Sequence, residues 1–293
     1  MSNLHACAVL VTFHPGLETL DNIVALCPQV EELIVVDNGS GADAVAMLSR
    51  ASDVHPFLLI EHESNMGIAA ALNVGVRTAI SRGYEWVVLF DQDSTVTRGF
   101  MEAMERGYLK HPFREQVGVF CPEYVDRSTG HVFKTTDMLA DGSPIIAMTS
   151  GSLMPVWIFS RCGWFMEDLF IDQVDVEYCF RLRTAGYLVA RSPEARLLHA
   201  AGCPQPYCFW GLGKFHATHH SSLRRYYITR NRVWVITKYL RMHKNWCLPI
   251  FRSIVADTIK LVLVEESKLA KLRSTLAGVF DALRGKLGQR SAS

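Results

Sequence analysis

The sequence predicts an α/β protein organised around a mostly parallel sheet. Three observations predict it: short apolar runs that stop at turn residues, helix-periodic stretches between them, and polar side chains gathered where the runs end. Strands alternating with helices imply βαβ units. In such sheets ligands bind beyond the carboxyl ends of the strands.

The elements follow in order. AVLVTF (Ala8–Phe13) ends at His14-Pro15-Gly16, and LIVVD (Leu33–Asp37) ends at Asn38-Gly39-Ser40. FLLIE (Phe57–Glu61) and WVVLFD (Trp86–Asp91) are the third and fourth strands, and GVFCP (Gly118–Pro122) is a fifth. Helical periodicity fills Leu17–Leu26, Ala42–Ser49 and Ile68–Arg82. Phe13-His14, Asp37-Asn38 and Asp91-Gln92-Asp93 all stand at strand ends and should converge on one crevice. A polar stretch, Asp126–Pro144, reads as a variable loop or hairpin. A second ordered block runs from IIAMTSGSLMP to the strand-like YLVAR and LLHAAG, and the tail from Val233 is helical. These breaks divide the chain at 1–125, 126–232 and 233–293.

Composition bounds the function. The 293 residues carry a formal charge of +1, so no global field points to nucleic acid. Ten Lys/Arg and four Asp/Glu follow from Arg241 onward, a local +6 that leaves −5 for the rest. Within that tail Leu269, Leu272, Leu276, Phe280 and Leu283 recur at three- and four-residue spacing beside Lys268, Lys271 and Arg273, an amphipathic stripe. It suits an anionic lipid surface or a homodimer interface. The eight cysteines fit no zinc spacing and read as reduced, buried thiols. No signal peptide and no apolar run of spanning length is visible.

The stretch VVLFDQDST (Val87–Thr95) carries the chemistry, because a buried strand runs into two carboxylates, Asp91 and Asp93. Three chemistries compete. A calcium loop would need glycine where Val96 stands. A haloacid-dehalogenase-type phosphatase would use Asp91 as nucleophile, but its motif belongs to a first strand and has glycine where Ser94 stands. In the third, the pair serves a divalent cation and a sugar nucleotide, a hard-oxygen site suited to Mg²⁺ or Mn²⁺.

The ordered neighbours VTFHP (Val11–Pro15), VVDNGS (Val35–Ser40) and NMGIAAALNVG (Asn65–Gly75) precede the DQD, and SGSLMP, LFIDQVDVEYCFR, LLH and LRRYYITRN follow it. Together they resemble family-two glycosyltransferases of the GT-A fold, nearest in wording to the bacterial rhamnosyltransferase branch of O-antigen and rhamnolipid synthesis. The resemblance covers nearly the whole chain. It implies a Rossmann-like nucleotide-sugar-binding half (1–125), an acceptor and catalytic half (126–232) and C-terminal helices (233–293).

It also implies roles. Thr12 and Phe13 would line the nucleotide pocket and Asp37 would bond the pyrimidine base, although an Asp before Asn-Gly also simply forms a turn. Asn65, Gly67 and Asn73 would shape the loop and helix start over ribose and phosphate. Asp91 would orient the ribose or share the metal, and Asp93 with His199 would ligate Mg²⁺ or Mn²⁺. Asp175 falls on the family's catalytic aspartate. Val174 replaces the usual preceding glutamate, which keeps Asp172 as a second candidate, and on a helix the two would share a face. Arg230 and Asn231, with Arg224 or Arg225, would approach a phosphate. His216, His219 and His220 lack a fourth zinc ligand and read as loop near the acceptor. The implied reaction is inverting transfer of L-rhamnose from dTDP-L-rhamnose to a lipid-linked saccharide or glycolipid, at the inner face of the cytoplasmic membrane. A non-catalytic nucleotide-sugar-binding protein is the remaining alternative.

Overall fold

The computed structural model describes residues 4–133, 139, 146–199, 205–209, 213–217 and 219–290. They form two compact units, Met1–Glu167 with Val174–Ala200, and Asp168–Gln173 with Ala201–Ser293. Both boundaries expected from the sequence fall inside elements: position 125 lies in a strand and 232 in a long helix.

In the first unit the alternation is as expected. Strands β1 (Ala6–Thr12), β2 (Glu32–Asp37), β3 (Leu58–Glu61) and β4 (Trp86–Asp91) are joined by helices α1 (Leu17–Leu26), α2 (Ala42–Val54) and α3 (Ile68–Ser81). The four strands pair in parallel, in the order β3-β2-β1-β4. Every residue of β1 is buried, as its unbroken apolar run requires of a central strand covered on both faces. Ala69, Ala70, Ala71, Leu72 and Val76 of α3 are buried too. Burying Leu72 and Val76 contributes about 1.5–3 kcal/mol each.

After β4 come β5 (Ser94–Val96), α4 (Phe100–Lys110), β6 (Val117–Asp126), β7 (Leu153–Pro155), α5 (Trp157–Cys162), α6 (Val174–Thr184) and β8 (Leu188–His199). They extend the sheet as β4-β7-β6-β8-β5. YLVAR and LLH, which read as two strands, are one long strand. Strand β5 was not expected at all. It pairs antiparallel with the end of β8, in the register Ser94↔His199, Thr95↔Leu198 and Val96↔Leu197.

That pairing forces curvature. Between Asp91 and Ser94 the chain spans at most about 11 Å. In a flat sheet, β4 and β5 would stand four strand spacings apart, about 19 Å. The sheet therefore curls, bringing its edge back over the end of β4. Six cysteines among the described residues are free thiols. Burial pushes Cys7, Cys121 and Cys179 up to about 12, so they behave as small apolar groups. Cys203 and the side chain of Cys208 lie outside the described residues, as do 134–138 and 140–144 of the expected variable loop.

The second unit holds β9 (Gln205–Phe209) and β10 (Gly213–Ala217), an antiparallel pair, with α7 (Ser222–Tyr239), α8 (Lys244–Val264) and α9 (Lys268–Leu283). Ser221 caps α7 by accepting from the Arg224 amide. The Arg225 guanidinium lies 2.6 Å from Glu265, which also takes Lys271 at 2.8 Å, and all three are buried.

One turn sets the spacing of two loops in the first unit. Gly39 has φ +82°, and a Cβ there would lie 2.4 Å from the Ser64 carbonyl carbon. Gly39→Ala should therefore destabilise by at least about 1–2 kcal/mol, the cost of a left-handed L-residue, with the backbone collision added. Urea denaturation at constant m-value checks this.

Candidate active site

The carboxyl ends of β1, β2 and β4 are stitched together by side chains. Gln92, the middle residue of DQD, accepts from the Phe13 amide at 2.8 Å and donates to the Phe13 carbonyl at 3.1 Å. Asn22 of α1 donates to the Gln92 carbonyl at 2.6 Å and accepts from the Thr95 hydroxyl. The turn that presents Asp91 and Asp93 is thus held at its middle and at its exit.

Its far side is held by the strand pairing. Because Ser94 faces His199, the residue before it, Asp93, comes within 3.6 Å of the His199 Nδ1 atom. Ser94 Oγ lies 3.0 Å from the same nitrogen, and Ser150 Oγ donates to Ser94 Oγ at 2.8 Å. The Asp91 amide donates to Ser150 Oγ at 3.1 Å. A chain of hydroxyls therefore links the strand-end aspartate to the imidazole. Asp93 Oδ1 is buried yet has no hydrogen-bond partner among the described residues, although the side chain as a whole is half exposed. A carboxylate oxygen and an imidazole nitrogen placed together in this way are chemically suited to a divalent cation. Among the described residues no third His, Cys, Asp or Glu joins them. Any further ligands would come from water or from a bound substrate, the usual way Mg²⁺ is held.

Asp37 is fully buried. It accepts from the Thr12 hydroxyl at 3.0 Å, the Ser40 hydroxyl at 2.5 Å and the Ser40 amide at 2.9 Å. Asp37 and the equally buried Thr12 thus anchor the β2 turn, whereas Phe13 is 40% exposed beside it. Asn65 accepts from Asn38 at 3.1 Å and from the Gly67 amide at 2.9 Å, so the loop before α3 is tied to the β2 turn. Gly67, at φ +87°, starts the helix.

Asn73 corrects an expectation. It is 1% exposed, donates to the Phe165 carbonyl and the Glu167 carboxylate, and accepts from the Phe165 amide. Its amide nitrogen and oxygen both clamp the 165–167 segment to α3.

Asp175 lies in the first turn of α6, half buried, and accepts from the Val176 amide at 2.8 Å. The recess beside it is lined by Phe165, Tyr178, Cys179, Thr149 and Ser152. Thr149 and Ser152 flank Ser150, so the 149–152 turn borders both this recess and the DQD turn. Glu177 of the same helix is buried and paired with Arg181 at 2.7 Å, which removes it as a base.

In the second unit, Arg230 is also corrected. It is 1% exposed and donates to the carbonyls of Gly288, Asp168 and Leu169 and to the Asn231 side chain. Asn231 donates to the carbonyls of Leu169, Ile171 and Asp172. A guanidinium committed to backbone oxygens does not read a phosphate; it holds a loop. In that loop Phe170, Asp172 and Gln173 have φ of 62°, 65° and 65°. Asp172 consequently precedes α6 in a left-handed conformation and shares no helix face with Asp175, contrary to the spacing argument. The Arg224 side chain lies 2.8 Å from the Asp172 carboxylate. Burial nevertheless raises that carboxyl above its ordinary range, against the pull of Arg224, Arg232 and His220. His220 is half-buried and its own pKa is lowered, first by burial and then by Arg224 and Arg225. The side chain of His216 lies outside the described residues.

Gln92, Asn22, Ser94 and Ser150 were not singled out from sequence. Gln92 lies inside the quoted motif and Ser150 opens SGSLMP, but neither spacing nor composition marks a hydroxyl that bridges strands.

A curled α/β sheet whose fourth strand ends in D-x-D, with the histidine at the end of β8 brought beside it by pairing with the edge strand β5, has the architecture of the GT-A fold. Comparison with known proteins agrees. Residues 16–136 match the profile described as Glycosyl transferase family 2. A dTDP-rhamnosyl transferase of Shigella flexneri, RfbF, is 27% identical over 308 aligned residues, spanning 98% of this chain and 97% of the relative. S. aureus TarS (1–349) superposes with a TM-score of 0.63 at 12% identity, over 94% of this chain and 80% of that one. The mannosyltransferase PcManGT of Pyrobaculum calidifontis, solved with GDP-Man and Mn²⁺, gives 0.60 at 16%, over 98% and 91%. The two superpositions establish the fold. The glycosyltransferase family 2 match thus falls on residues 16–136, and the similarity to the rhamnosyl transferase extends over nearly the whole chain.

Because Asn73 is a clamp, Asn73→Ala should cost about 1–3 kcal/mol of stability through the buried groups it leaves unpaired. Nucleotide affinity should stay within twofold. Urea denaturation and nucleotide titration on the same preparation check both halves.

Proposed function

We propose that the chain transfers L-rhamnose from dTDP-L-rhamnose, with inversion, to a lipid-linked saccharide or glycolipid acceptor in cell-surface polysaccharide or glycolipid synthesis. Support for the donor is the similarity, over almost the full length of both chains, to a relative named as a dTDP-rhamnosyl transferase. The observation that carries the chemistry is the buried Asp93 Oδ1, which lies beside His199 and has no hydrogen-bond partner among the described residues.

On this reading Asp93 and His199 would hold Mg²⁺ or Mn²⁺. The ion would neutralise negative charge on the departing diphosphate. Asp175 accepts the proton of the acceptor hydroxyl as its oxygen bonds to the anomeric carbon and the bond from that carbon to dTDP breaks. Asp91, whose amide is fixed by Ser150, orients the ribose. Phe13 offers an exposed face to the base, while Thr12, Asp37, Asn65 and Gly67 keep the two loops around the nucleotide in shape. Asp172 lies off helix α6 in a left-handed turn, whereas Asp175 borders the recess, which favours Asp175 as the base. A lipid-borne acceptor would keep the enzyme at the inner face of the cytoplasmic membrane.

The phosphatase reading loses its footing on one particular. It needs a later acidic pair following a strand, whereas Asp172 lies in a left-handed turn and Asp175 in a helix.

A thermal-shift panel of dTDP-, UDP- and GDP-sugars with and without Mn²⁺ tests the donor. dTDP-L-rhamnose with Mn²⁺ at a hundred times Kd should stabilise by about 2.7 kcal/mol. Metal-dependent stabilisation confined to GDP-sugars, or none with any sugar, refutes the rhamnosyl assignment. Asp93→Ala should abolish the dependence on Mn²⁺. Asp175→Asn should keep donor binding and lose about 10²–10⁴-fold in transfer rate; full transfer by that variant would remove Asp175 as the base.

A further inference from the structure

The last two helices have their faces reversed. Against α7, α9 buries Lys271, Thr275, Gly278 and Ala282. A Cβ on Gly278 would lie 2.7 Å from the Tyr226 carbonyl oxygen, so this small-residue face is closely seated. Its large apolar side chains point the other way: Leu269 is 74% exposed, Leu276 68%, Phe280 54% and Leu283 66%. Along α8 only Trp246, Cys247 and Leu261 are buried. Leu248, Phe251, Val255, Ile259 and Val262, spaced three or four residues apart, form an exposed stripe there. A helix docked only for its own fold turns its apolar stripe to the core. Exposed patches of this kind mark a surface that something else covers.

Charge identifies the cover. From Arg241 onward the chain carries four acidic residues, and three of them are engaged elsewhere. Asp257 pairs with Arg232 at 2.9 Å, Glu265 lies buried between Arg225 and Lys271, and Asp281 accepts the Tyr226 hydroxyl at 2.7 Å. Glu266, in the link between the helices, is the exposed exception. Lys244, Arg252, Lys268, Arg273 and Arg284 are exposed beside the stripes, with the Arg284 guanidinium 3.8 Å from the Phe280 ring centroid. An apolar stripe edged by cations complements a bilayer of anionic lipid. Closing it on a second copy would set like charges against one another. No helix among the described residues is long and apolar enough to cross a membrane, so the contact is with the surface.

We propose that the outward stripes of α8 and α9 form a docking surface for an anionic phospholipid membrane, the helices lying along the interface with their Leu and Phe side chains among the acyl chains. The inference deepens the membrane placement proposed above and requires nothing of the sugar chemistry.

Flotation of the full-length protein with vesicles tests it, using phosphatidylcholine alone or with about one-third phosphatidylglycerol. The wild type should bind the anionic vesicles at least about tenfold more tightly than the neutral ones, and raising the salt should weaken that binding. Leu276→Glu/Phe280→Glu and Phe251→Glu/Ile259→Glu should each weaken binding by at least about tenfold. These side chains are exposed, so circular dichroism and the thermal shift by dTDP-sugar should match the wild type. The inference is overturned by absence of wild-type binding to anionic vesicles or by unchanged binding of both variants. A concentration-dependent dimer that Leu276→Glu/Phe280→Glu dissolves would also overturn it, in favour of a second copy. Vesicle binding without any donor-induced shift would leave this surface standing and remove the proposed donor.

Discussion

Only Gln92 and Asp93 separate the end of β4 from the start of β5, yet those strands occupy the middle and the edge of one sheet, and the antiparallel pairing of β5 with the end of β8 reconciles the two positions. Because covalent reach is shorter than the flat-sheet separation, the sheet must curl. Because strand register is discrete, Ser94 must face His199. The approach of Asp93 to the imidazole, the contact of Ser94 with Nδ1 and the Ser150 bridge to the Asp91 amide follow from these two facts. A one-residue slip would turn Ser94 away and move the histidine one position along, so the pairing determines which side chain meets Asp93 as much as it determines the fold.

The second unit answers a different demand. Residues 168–173 include three non-glycine residues in the left-handed region, each of which costs about 1–2 kcal/mol. Such a backbone persists when the surroundings over-determine it. Here the carbonyls of Asp168, Leu169, Ile171 and Asp172 are taken by the Arg230 and Asn231 side chains, and the Gly288 amide takes that of Asp168 as well. Phe170 stacks on Tyr227 at 5.0 Å between ring centroids. The RN pair of LRRYYITRN thus serves the chain's own backbone. A buried guanidinium can satisfy several carbonyl oxygens at once because its donors are fixed in a planar fork, which a lysine could not reproduce.

The same unit shows how a helix can be amphipathic and still present its apolar face to solvent. Periodicity records that one side of α9 is apolar, but it carries no sign for inside and outside. Gly278 and Ala282 decide the sign, because only small side chains permit the approach to α7, and Glu265 receives Lys271 where a leucine could not pair. Asp281 reaches Tyr226 on the same side. What remains outward is the leucine and phenylalanine stripe with its arginines.

By itself the sequence determined the parallel βαβ half. Apolar runs of strand length are consecutive in the chain, and the turn residues that end them act locally, so β1 to β4 and α1 to α3 were legible to within a few residues, along with Asp91 and Asp93 at a strand end and the helix that carries Asp175. Tertiary structure alone decided what depends on distant partners. Strand β5 is three residues long and exists only through its pairing with a strand about a hundred residues later. The resemblance implied ligand contacts for Asn73 and Arg230, but what a polar side chain binds is undecided until its partners are known. Both are consumed by backbone and carboxylate groups far from them in sequence. The left-handed turn that takes Asp172 off the helix is likewise imposed by Asn231, some sixty residues away. Local propensity writes elements into a sequence, whereas register, burial and the pairing of polar groups are properties of the folded whole.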